Sequence, residues 1–148
     1  MTLRPLTYAD IPTLSQYAGG WTRLTDAQCR DMLDEMHTPR EDGKYYEIFA
    51  VENGEGVIVG TVSLFQHTRD AVSAGPEIFA PYRRRGYATE ALNMAYAHAA
   101  ARGFRIAVAQ VRLNNAASLA LHRKCGFESD HEFVNRHGNR VAFLIKAL

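Results

Sequence analysis

Apolar and polar positions change their spacing repeatedly along this chain, and each change marks an element. Leu3 to Leu6 reads as a short strand. Thr7, with Asp10 three residues on, opens a helix striped by Ile11, Leu14 and Tyr17 and ended by Gly19-Gly20. A second helix starts at Thr25, where Gln28 completes a capping box, and buries Cys29, Met32, Leu33 and Met36. Tyr45–Glu52 and Val57–His67 then switch to the strand period around the turn Asn53-Gly54-Glu55-Gly56. In the second of these both alternating sets are mostly apolar, which predicts a central strand covered on both sides.

Ala71–Phe79 predicts a third strand of the same set. Pro76 cannot donate to a ladder, so a bulge or a local loss of pairing is expected there, freeing backbone groups for a ligand. From Gly86 to Gly103 the pattern is helical, with Ala88, Ala91, Leu92, Ala95 and Ala99 on one face. A strand over 105–111 follows, then a helix over 116–125 with Ala117, Ala120, Leu121 and Cys125 expected on its core face. Phe127–Asn135 and Arg140–Ala147 close the chain as a hairpin. The order β-α-α-β-β-β-α-β-α-β-β predicts an α/β (α+β) domain over 1–148, one mixed sheet of about seven strands with helices on both faces.

Charge narrows the function. Lys+Arg 17 against Asp+Glu 16 gives a net charge of +1, so no global field recruits nucleic acid or an anionic membrane. No apolar run reaches the length of a membrane span, and the first residues lack a signal peptide's apolar segment; a cytoplasmic protein is expected. Cys29 and Cys125 have no metal-ligand spacing and sit at apolar helix positions, as core residues do; no metal is expected. The cluster Arg83-Arg84-Arg85 is therefore a local feature.

That cluster lies in a strand–loop–helix stretch, Ala80-Pro81-Tyr82-Arg83-Arg84-Arg85-Gly86-Tyr87-Ala88-Thr89. A helix start preceded by a glycine-containing basic loop gathers N–H groups and positive charge at one point, which suits phosphate. Neither G-x-x-x-x-G-K-[ST] nor G-x-G-x-x-G occurs, which removes support for nucleotide hydrolysis and dinucleotide binding. Arg83, Gly86 and Ala88 fit Q/R-x-x-G-x-G/A. With Val111 to Phe127 placed after it, where Asn115, Ser118 and Gly126-Phe127 match a second block, the chain resembles the GNAT superfamily of N-acetyltransferases over nearly its whole length.

The resemblance implies transfer of an acetyl group from acetyl-CoA directly to an amine of a small molecule, peptide or protein. It implies that Arg83, Arg84, Arg85, Gly86, Tyr87, Ala88 and Thr89 hold the pyrophosphate. Ile78 or Phe79 would offer the backbone N–H to the thioester oxygen, and Asn115 and Ser118 would contact the pantetheine arm. Two departures stand out: Arg84 occupies a position where many relatives carry glycine, and the family's common proton-donating tyrosine aligns with His122. A histidine can donate a proton near neutral pH; it can equally be an inconsequential helix residue, and both readings stay open. Glu77, beside the expected bulge, is the candidate base, with His67 as the alternative. Tyr17, Trp21, Tyr45 and Tyr46 are candidates for an acceptor pocket. A second class, a non-catalytic acyl-CoA-binding sensor of the same fold, is favoured by the altered tyrosine position. A homodimer is allowed for.

Overall fold

A strand that is apolar on both faces must be covered twice, and the computed structural model, which describes residues 1–148, shows how this chain does it. Its elements are β1 (Thr2–Pro5), a single 3-10 turn (Tyr8–Asp10), α1 (Ile11–Tyr17), α2 (Asp26–Met36), β2 (Tyr46–Glu52), β3 (Ile58–Gln66) and β4 (Ala71–Ile78). They continue with α3 (Tyr87–Ala101), β5 (Ile106–Arg112), α4 (Ala116–Lys124), β6 (Glu128–Val134) and β7 (Arg140–Ala147). One seven-stranded sheet results, in the order β1-β2-β3-β4-β5-β7-β6. All pairings are antiparallel except β4 with β5.

One face packs on α3. Phe49, Val51, Val62, Leu64, Val72 and Ala107 meet the helix's small-residue stripe of Ala91, Leu92, Ala95 and Ala99, joined by Tyr96. Small side chains let the helix lie close to the sheet. The opposite face is covered by α1 and α2 over its β1–β3 half only, where Ala50 packs with Leu14, Trp21, Cys29 and Leu33. Both cysteines are buried and unpaired. No helix is long and apolar enough to cross a membrane.

Local signals explain the helix starts. In α2 both bonds of the capping box form, Gln28 N–H to Thr25 Oγ1 at 3.2 Å and Thr25 N–H to Gln28 Oε1 at 2.9 Å. At the first turn, Asp10 accepts from Thr7 N–H at 2.8 Å and from the Arg4 guanidinium at 2.8 and 2.9 Å. Burial alone would push the Asp10 carboxyl up, but the bonds from Arg4 and Thr7 outweigh it and hold the group below the ordinary carboxylate range. A depressed folded-state pKa contributes stability above the unfolded pKa, and that contribution is lost as pH falls through the folded value. Asp10→Asn should therefore cost about 1.5–3 kcal/mol at neutral pH. Denaturant titrations should show the gap to wild type closing on acidification; a gap independent of pH would remove the ion pair from the explanation.

Two expectations need correction. Of the two alternatives at Pro76, the bulge does not form: the β3–β4 register runs through Val62↔Pro76 without a shift. The irregularity lies on the other side of the strand, because β4 and β5 pair only at Ala71↔Ile106 and Val72↔Ala107 and then part. Alternation gives the reason. Phe79 N–H bonds to Val59 O at 2.9 Å, so in the antiparallel ladder the even residues of β4 turn their amides away from β3, and Pro76 lacks its N–H on the side facing β5. In α4, Leu121 and Cys125 pack on the core as expected, but Ala117 and Ala120 are exposed and His122 is buried in their stead. The helix is rotated from its simplest apolar reading because Phe127 takes the His122 ring edge-on, with centroids 5.1 Å apart. Finally, Gly60 holds two strands together at close range: a Cβ there would stand 2.2 Å from the Glu77 carbonyl oxygen.

Candidate functional site

The chain leaves β4 after it has parted from β5 and reaches the start of α3 through residues 79–86. Gly86 is the N-cap of that helix in the left-handed region, φ 81°, and has no side chain to cap it. The first N–H in the helix to find a backbone partner is that of Glu90, bonded to Gly86 O at 3.2 Å. From Arg84 to Thr89 no amide has a backbone or side-chain acceptor, so a whole run of donors is left at the positive end of a fifteen-residue helix. A Cβ built on Gly86, in the middle of this run, would meet nothing within 4 Å. This is a cradle for an anion with several acceptor oxygens.

The three arginines play different parts. Arg83 Nε donates to Ile78 O at 2.9 Å, tying the loop to the end of β4. Arg85 lies over the Tyr82 ring, 6.0 Å from its centroid. Arg84 is the one non-glycine residue with positive φ, at 64°. A side chain there costs about 1–2 kcal/mol. Arg84→Gly should therefore raise the melting temperature by ~2–4 °C, after the glycine's extra unfolded-state entropy is deducted. A thermal melt that drops instead would show that the loop stores no strain at this position.

Below the loop, the parted strands open a cavity of about 620 Å³ that runs through the sheet. On the α3/α4 side Ser118 and His122 line it. His122 is 6% exposed. Its Nδ1 lies 2.7 Å from Ser118 O; a carbonyl can only accept, so Nδ1 carries a proton. Nε2 has no protein partner, and no buried side-chain polar atom is left without one, so Nε2 opens towards the cavity. Asn115 caps α4, its Oδ1 accepting Ser118 N–H at 3.1 Å, while the residue itself stays exposed.

On the opposite face the cavity is lined by Phe65, His67, Ser73, Gln110 and Phe143. Ser73 Oγ lies 2.5 Å from Val108 O and so bridges the two strands at the root of the gap. Deeper on the α3 side, Tyr96 takes Ala74 N–H at 3.0 Å on its phenol oxygen; burial pushes this phenol up to about 12, so it stays protonated. Of the edge donors, Phe79 N–H is committed to Val59, which leaves Ile78, whose amide alternation turns into the gap.

Glu77 does not line the cavity. Its Oε1 accepts Gly19 N–H at 3.0 Å, fastening the loop between α1 and α2 to β4. The four aromatic candidates separate. Trp21 is core and Tyr17 stacks on Phe79 at 5.7 Å, whereas Tyr45 and Tyr46 line a different cavity, of about 650 Å³, with Met32, Arg40 and Arg102. Ser73, Gln110, Tyr96 and Phe143 carry no motif signal. Strand register brings Ser73, Gln110 and Phe143 to the gap, and the packing of α3 on the sheet brings Tyr96 to Ala74.

Comparison with known proteins decides the family. The model of the acetyltransferase (GNAT) domain matches residues 1–128. The chain belongs to the GNAT acetyltransferase family. No curated protein matches this acetyltransferase. Its fold matches spermidine N-acetyltransferase from Vibrio cholerae, solved with CoA and spermine, at TM-score 0.75 and 16% identity, covering 99% of this chain and 94% of that one. Ribosomal-protein-alanine N-acetyltransferase from Brucella melitensis matches at TM-score 0.74 and 23% identity, over 100% of both chains. RimJ from Mycobacterium smegmatis, in complex with CoA-disulfide, matches at TM-score 0.81 and 18% identity, over 98% of this chain and 80% of that one. The protein is thus a GNAT acetyltransferase, and it shares the fold of N-acetyltransferases that bind CoA.

Proposed function

We propose that this acetyltransferase transfers the acetyl group of acetyl-CoA directly to an amine of a small molecule or peptide. The observation that carries the reading is the run of unpartnered amides from Arg84 to Thr89, set over open space at Gly86 and beside the parted edge of β4. Diphosphate oxygens suit those donors, and Arg84 and Arg85, both exposed, add charge. The gap, with Ile78 N–H turned into it, suits the amides of a pantetheine arm. Bound there, acetyl-CoA supplies an acyl group activated as a thioester.

The chain's own residues then have distinct tasks. Ile78 N–H is placed to donate to an oxygen that becomes more negative during transfer, which lowers a barrier because the donor is already oriented. His122, when protonated, carries its second proton on Nε2, towards the cavity, and gives it to the departing sulfur. The Ser118 carbonyl fixes the ring by holding Nδ1–H. Glu77 keeps the α1–α2 loop against β4 rather than reaching the cavity.

CoA should raise the melting temperature, because a ligand that binds only the native state stabilises it by mass action; at a hundred times its Kd the gain is ~2.7 kcal/mol. Desulfo-CoA should do nearly as well, since the sulfur contributes little to the proposed contacts. A melting curve unmoved by millimolar CoA would overturn the assignment. Binding of CoA without thiol release on any of a broad set of amines would instead favour a sensor.

A further inference from the structure

The sheet face opposite α3 holds a site that the transfer reaction does not by itself explain. Strand register puts Phe65 across from Ser73 and Gln110 across from Phe143, so these four share one face. His67, two residues from Phe65, joins them through its bond to Ser73 at 2.6 Å. This is the half of the face that α1 and α2 leave open, and the loop between those helices is fastened beside it by the Gly19–Glu77 bond.

The hydrogen bonds assign a proton. Ser73 lies 2.5 Å from Val108 O, and only the serine can donate in that pair. Its oxygen must therefore accept from His67, so Nε2 of His67 carries the hydrogen and Nδ1 keeps a lone pair without a protein partner. Charge gives the second constraint. No Asp, Glu, Lys or Arg lines the cavity, so His67 and His122 are its only titratable groups. Glu77, the carboxylate on the same face, does not reach the cavity and is engaged by Gly19.

We propose that the cavity face formed by Phe65, His67, Ser73, Gln110 and Phe143 is the acceptor site, that it takes a monoamine on an apolar, preferentially aromatic body, and that His67 takes the amine's proton. The inference rests on the acetyl-transfer reading. A monoamine loses its only charge when it becomes reactive, so nothing ionic has to be buried. A polyamine would bring further ammonium groups with no carboxylate in the lining to pair them. Phe65, 36% exposed, offers a ring edge or face to an apolar body, while His131 already stacks on Phe143 at 5.0 Å. Two protons leave the nitrogen during transfer. The first goes to His67 Nδ1 and on to solvent, since that residue is exposed. The second passes to His67 Nδ1, free again after the first has left, as the C–N bond forms and the C–S bond breaks; His122 gives its Nε2 proton to the sulfur and regains one from solvent, so one proton is released per transfer.

The test compares 2-phenylethylamine, spermidine and a peptide with N-terminal alanine as acceptors, following thiol release. 2-Phenylethylamine should exceed both others at least tenfold in kcat/KM. Phe65→Asp, at an exposed position, should reverse the order against spermidine by adding a carboxylate and removing the ring, while the CoA-induced melting shift stays unchanged. His67→Gln should lower kcat with that shift likewise unchanged. Nitrogen-15 NMR of the ligand-free protein should show His67 as the Nε2–H tautomer. Spermidine or the peptide preferred by wild type, or the Nδ1–H tautomer, overturns the inference while a CoA melting shift leaves the acetyl-transfer reading standing. No CoA shift and no acetylated amine removes both.

Discussion

Gly86→Glu should lose CoA binding, with Kd weakened more than ~100-fold, or about 2.7 kcal/mol. Nothing lies within 4 Å of a Cβ at Gly86, amid the unpartnered amides of Arg84 to Thr89, so a carboxylate placed there competes with a phosphate for those donors and repels another anion. The backbone contributes separately. At φ 81° any side chain is strained by about 1–2 kcal/mol, so the variant should also melt earlier. Gly86→Ala separates the two effects, because it carries the same strain without length or charge. Calorimetric titration with CoA should find the alanine variant within ~10-fold of wild type. Equal losses in both would mean that loop conformation, rather than the space above the amides, sets affinity.

His122→Ala should lower kcat by ~10²-fold, the low end for general acid catalysis, since a thiolate is already a tolerable leaving group. Affinity for acetyl-CoA should change little, because the proton transfer belongs to the reaction and not to binding. His122→Tyr should restore part of the rate, since a phenol on the same helix position also offers a proton. The recovery is incomplete because the ring is longer, the site is only 6% exposed, and the bond to Ser118 O is lost. An alanine variant with unchanged kcat on a good acceptor would remove His122 from the mechanism.

How much of this was legible beforehand follows from where the information resides. The capping boxes at Thr7 and Thr25, the left-handed glycine before α3 and the small-residue stripe of that helix depend on neighbours within a few residues. Local sequence therefore specifies them, and with them the loop proposed to hold the diphosphate. The order of elements constrained the sheet for a similar reason: β3 is apolar on both faces, so it had to be internal, and it stands between β2 and β4. The structure reads the loop itself in finer detail than the motif did, since Arg83 is turned back to Ile78 O and Arg84 bears the strain.

The gap and the cavity came only with the tertiary structure. Pro76 signalled a disturbed strand, but which edge it disturbed depends on the alternation fixed by Phe79 bonding to Val59. The inward face of α4 was misread because alanines at 117 and 120 look apolar, while the sheet and Phe127 offer a partner to His122 instead. Ser73, Gln110 and Phe143 lie far apart in the chain and meet because β4, β5 and β7 pair in one register. Periodicity along a strand says which residues share a face; it does not say which strand lies alongside or where two neighbours part. Local propensity and spacing thus determined the elements and the run of free amides before α3 in this acetyltransferase. The sheet's pairing decided which side chains line the gap, because that depends on contacts between residues whose separation in sequence carries no signal of their meeting.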